Sequence, residues 1–394
     1  MNIEKLGDIT TCLDSRRVPL NDSERGKIRG LGKYPYIGAN NILDYIDQYI
    51  FDQKILCIAE DGGNWAFNQD CALIVDEKCW VNNHAHVLVE NGKSILEYLK
   101  YYLNYANLNS YITGTTRGKL TRSALNRIPI PLPSLPIQKK IADALDKADA
   151  IRKRNQQILQ KYDQLAQSVF LEMFGDPIIN PKRWETKTIT EICSKNKFSL
   201  KRGPFGGALK KEIFVEEGYL VYEQYHALNN DFTWARYFIN ENKFQELKSF
   251  ECKPGDIIIS CSGVNLGRLA IVPKNARPGI INQALLKINL DQNKMKNEFF
   301  IRVFSNDNFK NTFYGFQRGA GIPNFPPMET FKSFQFICPP LGLQLKFNEI
   351  IDKIYLQKKQ ILIEFEKSNN LFQSILQRAF KGELFPEIEN EPIL

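Results

Sequence analysis

The chain has 394 residues, 43% of them hydrophobic and 24% charged, which is ordinary for a globular protein of two or three domains. No apolar run reaches the length of about 18 residues that a membrane span needs, and the N-terminus lacks the apolar core of a signal peptide. The eight cysteines show no metal-like spacing, so we expect reduced thiols and a cytoplasmic protein. The net charge of +8 comes from residues 177–340, because residues 1–136 balance to zero. This excess suits a surface that binds phosphates, although it could equally serve solubility.

Residues 1–135 predict a first globule built of short strands. Strand-like runs cover residues 54–59, 71–75 and 85–89, and a glycine-rich turn follows the first run at residues 61–64. Short runs separated by turns favour a mixed, mostly antiparallel sheet with helices packed on it.

Residues 136–176 predict one long amphipathic helix. Its apolar positions step by four and three residues, the heptad spacing that keeps one stripe facing a partner helix. Asn155 falls on that stripe, where a polar residue typically fixes register. The predicted stripe contains Ile137, Ile141, Ala144, Ala148, Ile151, Asn155, Ile158, Tyr162, Leu165 and Val169.

Residues 177–340 predict a second globule with the same order of features as the first. Strand-like runs cover residues 255–260, 269–272 and 283–288, and a turn occupies residues 262–265. We align Asn83-His84-Ala85 of the first globule with Asn282-Gln283-Ala284 of the second. The two globules are therefore predicted to share a fold and to differ in their surface side chains.

Residues 341–385 predict a second long helix, followed by a tail at residues 386–394. Residues 132–174 recur as residues 338–380 at a constant offset of 206, so the chain is a duplicated module. Two such helices in one chain favour an internal antiparallel coiled coil with a pseudo-twofold repeat; a homodimeric coiled coil or a plain core helix pair is the alternative. Its predicted stripe contains Leu343, Phe347, Ile350, Ile354, Ile361, Phe365, Phe372, Ile375 and Ala379.

The ordered set of segments resembles the specificity subunit of type I restriction–modification enzymes. The resemblance rests on the entries LPSLPIQ and CPPLGLQ, the exits FGDP and FKGEL, the segment GPFGGALKK, and the strand segments ILCIAEDGGNW and GDIIIS. It implies an α+β fold with two target-recognition domains, separated by two long helices that the family conserves. It also implies that each domain reads one half of a split DNA site and that this chain is not catalytic.

The resemblance further implies the partners of the chain. They are double-stranded DNA, two methyltransferase subunits and a restriction/translocase subunit, with no membrane. S-adenosylmethionine is expected in the methyltransferase partner, and no cofactor is expected in this chain. Two alternatives stay open: the recognition subunit of a type II-like system with fused cutting and methylation, and a scaffold that binds no DNA.

Side chains that hydrogen-bond base edges or phosphates are the candidate DNA contacts. Any one basic side chain could instead be merely solvated, and His84 could be a core residue. Trp65 and Phe205 could be contacts or core. In the first globule the candidates are Arg25, Lys27, Arg29, Lys33, Asn64, Asn82, Asn83, His84, Arg117, Lys119 and Arg122. In the second they are Lys201, Arg202, Lys210, Lys211, Tyr222, Gln224, Asn265, Arg268, Asn282, Gln283, Arg318 and Asn324.

The sequence offers little support for an enzyme or a metal site. It contains no methyltransferase loop of the [DNS]-P-P-[YFW] type, no P-loop and no dinucleotide fingerprint. His84 and His86 lie two residues apart on a predicted strand, so they should face the same side and could supply two zinc ligands, but no third ligand lies within sequence reach. We therefore expect no catalytic residues and no metal site.

Overall fold

The computed structural model describes residues 2–114, 116–263, 265–314 and 325–386. The chain forms two compact units, and each long helix contributes one part to each unit. The first unit contains residues up to Ile158 and residues from Ile361 onward; the second contains Leu159–Gln360. None of the helices in the described ranges is long and apolar enough to cross a membrane.

The first unit contains a four-stranded antiparallel sheet, a three-stranded sheet with one parallel pairing, and two short strand pairs. Its strands are β1 Asn2–Lys5, β2 Thr10–Cys12, β3 Tyr34–Ile37, β4 Ile42–Ile46, β5 Ile55–Ala59, β6 Ala72–Val75, β7 Trp80–Val81, β8 Ala85–Glu90, β9 Ile112–Thr113, β10 Lys119–Leu120 and β11 Pro129–Leu132. Its helices are α1 Leu6–Ile9, α2 Asp22–Ile28, α3 Leu96–Tyr105, α4 Arg122–Asn126 and the first part of α5 Leu135–Phe174.

The second unit repeats this plan with a four-stranded antiparallel sheet and a five-stranded sheet that also has one parallel pairing. Its strands are β12 Thr186–Thr188, β13 Leu200–Arg202, β14 Phe214–Val215, β15 Tyr219–Tyr222, β16 Phe238–Ile239, β17 Glu251–Cys252, β18 Ile257–Ser260, β19 Leu269–Ile271, β20 Gly279–Ile281, β21 Leu285–Ile288 and β22 Gln335–Ile337. Its helices are α6 Ile189–Ile192, α7 Gln224–Asn229, α8 Glu241–Glu246, α9 Asn297–Ser305, α10 Asp307–Tyr314, α11 Met328–Ser333 and part of α12 Leu341–Phe380.

The central strands are apolar without alternation because both faces of each four-stranded sheet are covered. In β5, Leu56 and Ile58 join the core beneath α3 and the long helices, whereas Ile55 and Cys57 join the core beneath the second sheet. In β18 the same division separates Ile257 and Ile259 from Ile258. The strand pairings are mostly antiparallel, with a parallel pairing in each unit, which confirms the predicted mixed, mostly antiparallel sheets.

Within each unit the two long helices run in opposite directions. In the first unit, Arg152 lies over the ring of Phe372, and Asn155 donates to the Ser368 hydroxyl at 3.4 Å. In the second unit, Lys358 donates to Asp163 at 2.6 Å. The position of Asn155 on the helix contact is thus confirmed, and the coiled-coil geometry itself stays a prediction.

The predicted stripe of the first long helix is wrong at two positions. Ile151 and Leu165 are exposed, whereas Leu145, Ala166 and Phe170 are buried. Side chains of this helix are buried against the neighbouring globules as well as against the partner helix. Heptad spacing alone therefore does not identify the buried positions. The nine positions of the second predicted stripe are all buried or half-buried.

Candidate nucleic-acid interface

The same asparagine-stabilised turn stands at one end of the four-stranded sheet in both units. The Asn82 side chain accepts the His84 N–H at 2.8 Å, and the Asn282 side chain accepts the Ala284 N–H at 3.0 Å. A second bond repeats as well, because the His84 carbonyl accepts the Glu60 N–H and the Ala284 carbonyl accepts a backbone N–H of the second unit, both at 2.8 Å. These two turns are structurally equivalent.

This equivalence corrects our alignment of the two globules by one residue. Asn82 matches Asn282, so His84 matches Ala284 rather than Gln283. Sequence alone favoured the wrong register because both globules contain a polar residue directly before an alanine. The matching turns also bring Asp61 and Ser262 to equivalent places, each followed by a glycine with positive φ.

We define the first loop edge as Glu60, Asp61, Asn83, His84, Arg117 and Lys119. Asp61 holds two of its members: His84 Nδ1 lies 2.8 Å from one carboxylate oxygen and Arg117 lies 2.5 Å from the other. Glu60 accepts from Lys119 at 3.1 Å and from Arg17 at 2.6 Å. The predicted basic contacts at this edge are therefore neutralised by two acidic residues that follow strand β5.

A buried histidine lies next to the first loop edge. His86 is 1% exposed, and its ring nitrogens lie 2.6 Å from an Asp14 carboxylate oxygen and 2.7 Å from the Leu120 carbonyl. Both ring nitrogens therefore have a partner within the protein. Burial alone would raise the pKa of Asp14, but hydrogen bonds from His86 and the Val87 N–H hold it below its ordinary value.

Asp14, Glu60 and His86 are the one group of metal-ligating side chains within 4.8 Å of one another in the described ranges. Sequence spacing missed this grouping because the three residues are far apart in the chain, and only His86 lies within a strand. Arg17 already contacts both carboxylates, at 3.5 Å and 2.6 Å. The donor set is thus compensated by cations of the chain itself and does not fit an added metal ion.

The two histidines do not share one strand face as we predicted. His84 precedes strand β8 in the turn and is partly exposed, whereas His86 is buried within the strand. Side-chain alternation applies only inside a strand, so it gives no guidance for His84.

We define the second loop edge as Arg202, Phe205, Gln224, Ser262, Arg268 and Gln283. Gln224 is half-buried, and its amide donates to the Ser260 hydroxyl and to the Ser262 carbonyl, both at 2.8 Å. Gln224 therefore supports the turn at Ser262, and its predicted role as a base contact is not favoured by its bonding. Gln283 and Arg268 are exposed at this edge.

The structure contradicts two predicted contacts by burial and places two others in ion pairs. Tyr222 is fully buried and donates to the Arg277 carbonyl, and Asn82 is 4% exposed. Arg25 and Arg29 both pair with Asp44. Of the two aromatic residues left open, Trp65 is core and Phe205 is exposed.

The remaining predicted contacts are accessible. Lys27, Lys33, Asn64, Asn83, Arg122, Lys210, Lys211, Arg268 and Gln283 are exposed, and Lys201, Arg202, Asn265 and Asn282 are half-buried. Arg318 and Asn324 lie outside the described residues. The side chains that sequence reasoning missed are Glu60, Asp61 and Arg17; the acidic pair directly after a predicted strand was the available signal.

Comparison with known proteins identifies relatives along most of the chain. The family described as the type I restriction modification DNA specificity domain matches residues 1–161 and again residues 181–369. A putative type I restriction enzyme specificity subunit from Haemophilus influenzae is 27% identical over 359 residues, covering 88% of this chain and 86% of the relative. The type I restriction enzyme StySPI specificity subunit from Salmonella potsdam is 25% identical over 303 residues, covering 72% of this chain and 63% of the relative.

Two solved structures have a similar fold. The S subunit of a type I restriction–modification system from M. genitalium superposes with a TM-score of 0.61 at 15% identity, covering 96% of each chain. A chain from a study of the assembly and conformational transition of the type I system gives a TM-score of 0.54 at 14% identity, covering 97% of this chain and 98% of that one.

Proposed function

The chain belongs to the type I restriction–modification DNA specificity family, and we propose on this premise that its two domains each read one half of a bipartite DNA sequence. Membership makes the chain a recognition subunit without catalytic activity of its own. This membership is inconsistent with a scaffold that binds no DNA.

One observation carries the proposal: the two loop edges share a backbone frame and differ in side chains. Asn82 and Asn282 build the same turn, yet Asp61 stands where the second unit has Ser262. Base recognition depends on the hydrogen-bonding side chain presented to a base edge. A shared frame with different donors and acceptors therefore suits two different half-sites.

The exposed basic side chains outside the shared turns supply affinity rather than sequence information. Phosphate contacts position a protein on the duplex, and base contacts specify the sequence. We assign Lys27, Lys33, Arg122, Lys210 and Lys211 to phosphates because they are exposed outside the shared turns. Asn83, Gln283 and Arg268 are the base-contact candidates, since they lie at or beside those turns.

The long helices are proposed to dock the partner subunits and to set the spacing between the half-sites. The outer surface of α12 carries exposed apolar side chains, of which Leu356 is 67% exposed. The others on this helix are Leu345, Tyr355, Leu362, Ile363 and Leu371. We propose that methyltransferase subunits, two in the complete enzyme, cover such positions, and that a restriction/translocase subunit joins the complex.

The chemistry is proposed to lie in these partners. S-adenosylmethionine binds the methyltransferase subunit, and no cofactor binds this chain. A type II-like system, in which one partner both cuts and methylates, would use the chain in the same way. The genes beside this one distinguish the two arrangements.

The test is a methylation map. The chain is co-expressed with its neighbouring methyltransferase in a host without DNA methylation, and N6-methyladenine is located by long-read sequencing. We expect a split motif with a constant spacer that disappears when this chain is omitted. An unsplit motif, or methylation that persists without the chain, would contradict the proposal.

A further inference from the structure

Phe205 is presented to solvent at the second loop edge. It is 75% exposed, whereas Gly203 and Pro204 directly before it are buried. Its backbone is extended, with φ −92° and ψ 158°. An exposed aromatic ring of this size forfeits its free energy of burial, which a contact with another molecule can recover.

The segment that carries Phe205 is anchored on both sides. The Gly203 N–H donates to the Leu285 carbonyl at 2.9 Å, and a Cβ at position 203 would lie 1.8 Å from the Asn282 carbonyl oxygen. Beyond the ring, Ala208 and Leu209 pack against the core of the five-stranded sheet. The aromatic ring therefore projects from a short, fixed connection between the two sheets.

Arg202 lies beside the ring, and its side chain makes no hydrogen bond or ion pair with the described residues. Its guanidinium carbon lies 6.0 Å from the Phe205 ring centre, and its Nε is buried without a hydrogen bond in the described part of the chain. The half-buried Arg202 can bind a phosphate through its terminal guanidinium nitrogens. Arg117 at the first loop edge differs in this respect, because it already forms an ion pair with Asp61.

We propose that Phe205 inserts as an apolar wedge at a base step of the DNA bound by the second domain, and that Arg202 binds the adjacent phosphate. The inference rests on the proposed function and specifies how the second domain would distort the DNA of its half-site. Apolar wedges unstack a base step and bend the duplex, and the deformation is repaid by further contacts.

The charge around Phe205 favours DNA over a protein partner. Lys210 and Lys211 follow the ring and are exposed, and Gln283 is exposed beside the neighbouring turn. Residues 177–340 carry the whole net charge of the chain. An exposed aromatic side chain beside Arg202, followed along the chain by two exposed lysines, matches the aromatic stacking and backbone contacts of nucleic-acid binding.

The experiment uses the complete complex of this chain with its methyltransferase, bound to duplexes that contain the mapped site. A 2-aminopurine base placed at successive positions of the second half-site reports unstacking by its fluorescence. We expect enhancement at one step with the wild-type chain, loss of it with Phe205→Ala together with roughly tenfold weaker binding, and retention with Phe205→Trp. Arg202→Ala should lower the slope of log affinity against log salt by about 1.

Phe198→Ala is the matched control because Phe198 precedes strand β13, whereas Phe205 follows it, and Phe198 is also partly exposed. It should leave the fluorescence unchanged. Fluorescence enhancement that persists in the Phe205→Ala variant would overturn the wedge. Loss of assembly between the Phe205→Ala chain and the methyltransferase would also overturn it, since the ring would then be a protein contact. Absence of any methylated split site with the wild-type chain would instead contradict the proposed function.

Discussion

Gln138 and Gln344 make the same three hydrogen bonds in the two units. Gln138 is fully buried at the start of helix α5. Its side-chain oxygen accepts the Ile95 N–H at 3.1 Å, and its amide donates to the Pro133 carbonyl at 2.8 Å and to the Lys93 carbonyl at 3.2 Å. Because Ile95 immediately precedes helix α3, one side chain joins the starts of two helices.

Gln344 repeats the arrangement at the start of helix α12. It accepts the Lys296 N–H at 2.8 Å and donates to the Pro339 carbonyl at 2.8 Å and to the Lys294 carbonyl at 3.1 Å. Lys296 immediately precedes helix α9. The duplicated glutamine therefore fixes each domain to the start of its long helix.

Replacing Gln344 by alanine should therefore destabilise the second unit. The Lys296 N–H and two carbonyls lose their buried partner, at a cost of about 2 to 4 kcal/mol in the free energy of unfolding. Urea denaturation followed by tryptophan fluorescence measures the change. Gln357→Ala, on the exposed side of the same helix, is the control. Equal stability of the two variants would show that the attachment does not depend on Gln344.

Asp14 should make the stability of the first unit depend on acidity. Its pKa in the folded protein is lower than the ordinary 3.8, so its ionised form stabilises the fold above about pH 4 and loses that effect as pH falls through the lowered value. Asp14→Asn should cost about 1 to 3 kcal/mol at pH 7. The difference between wild type and variant should shrink below pH 4 in urea unfolding. The exposed Asp143→Asn should show no such convergence.

Asp61 should restrain the basic residues of the first loop edge. Asp61→Ala releases Arg117 and His84 from their carboxylate partner. We expect non-specific DNA affinity of the complex to rise and its salt dependence to steepen, because a freed arginine can bind a phosphate. Discrimination in the first half-site should fall, since the turn loses its support. Binding to matched and scrambled duplexes across a salt series measures both effects, and an unchanged ratio would refute the assignment.

Leu356 should matter for assembly and not for folding. Leu356→Asp places a charge on a side chain that is two-thirds exposed, so the free energy of unfolding should change little. If a methyltransferase helix covers this position, burial of the charge should weaken the complex by tenfold or more. Gln357→Asp on the same helix is the control, and size-exclusion chromatography of the co-expressed proteins reports assembly. Equal assembly of the two variants would exclude Leu356 from the interface.

The sequence predicted the architecture better than the interface. Strand runs such as residues 55–59 and 257–260 were recognisable because apolar residues and glycine turns are local signals. Ile151 was misplaced because a heptad pattern cannot tell which face the neighbouring globule covers. Tyr222 and Asn82 looked like contacts because their chemistry suits base recognition, yet their burial depends on tertiary packing.

The paired state of the basic residues was also beyond the sequence. Arg25 and Asp44 are far apart in the chain and meet through the packing of helix α2 on the β3–β4 hairpin. Glu60 meets Lys119 across a still longer separation. Counts of charge along the chain placed the basic excess in residues 177–340, but they could not show which arginines form ion pairs.

Comparative methylation maps of two loop-edge variants test the central claim most directly. Asn83→Ala changes an exposed residue of the first loop edge, and Gln283→Ala changes the equivalent residue of the second. Each variant is co-expressed with the methyltransferase, and N6-methyladenine is mapped across the same genome. The account predicts that each substitution relaxes one half of the motif, a different half for each, and leaves the spacer unchanged. Relaxation of the same half by both variants, or of both halves by either one, would contradict the assignment of one half-site to each domain.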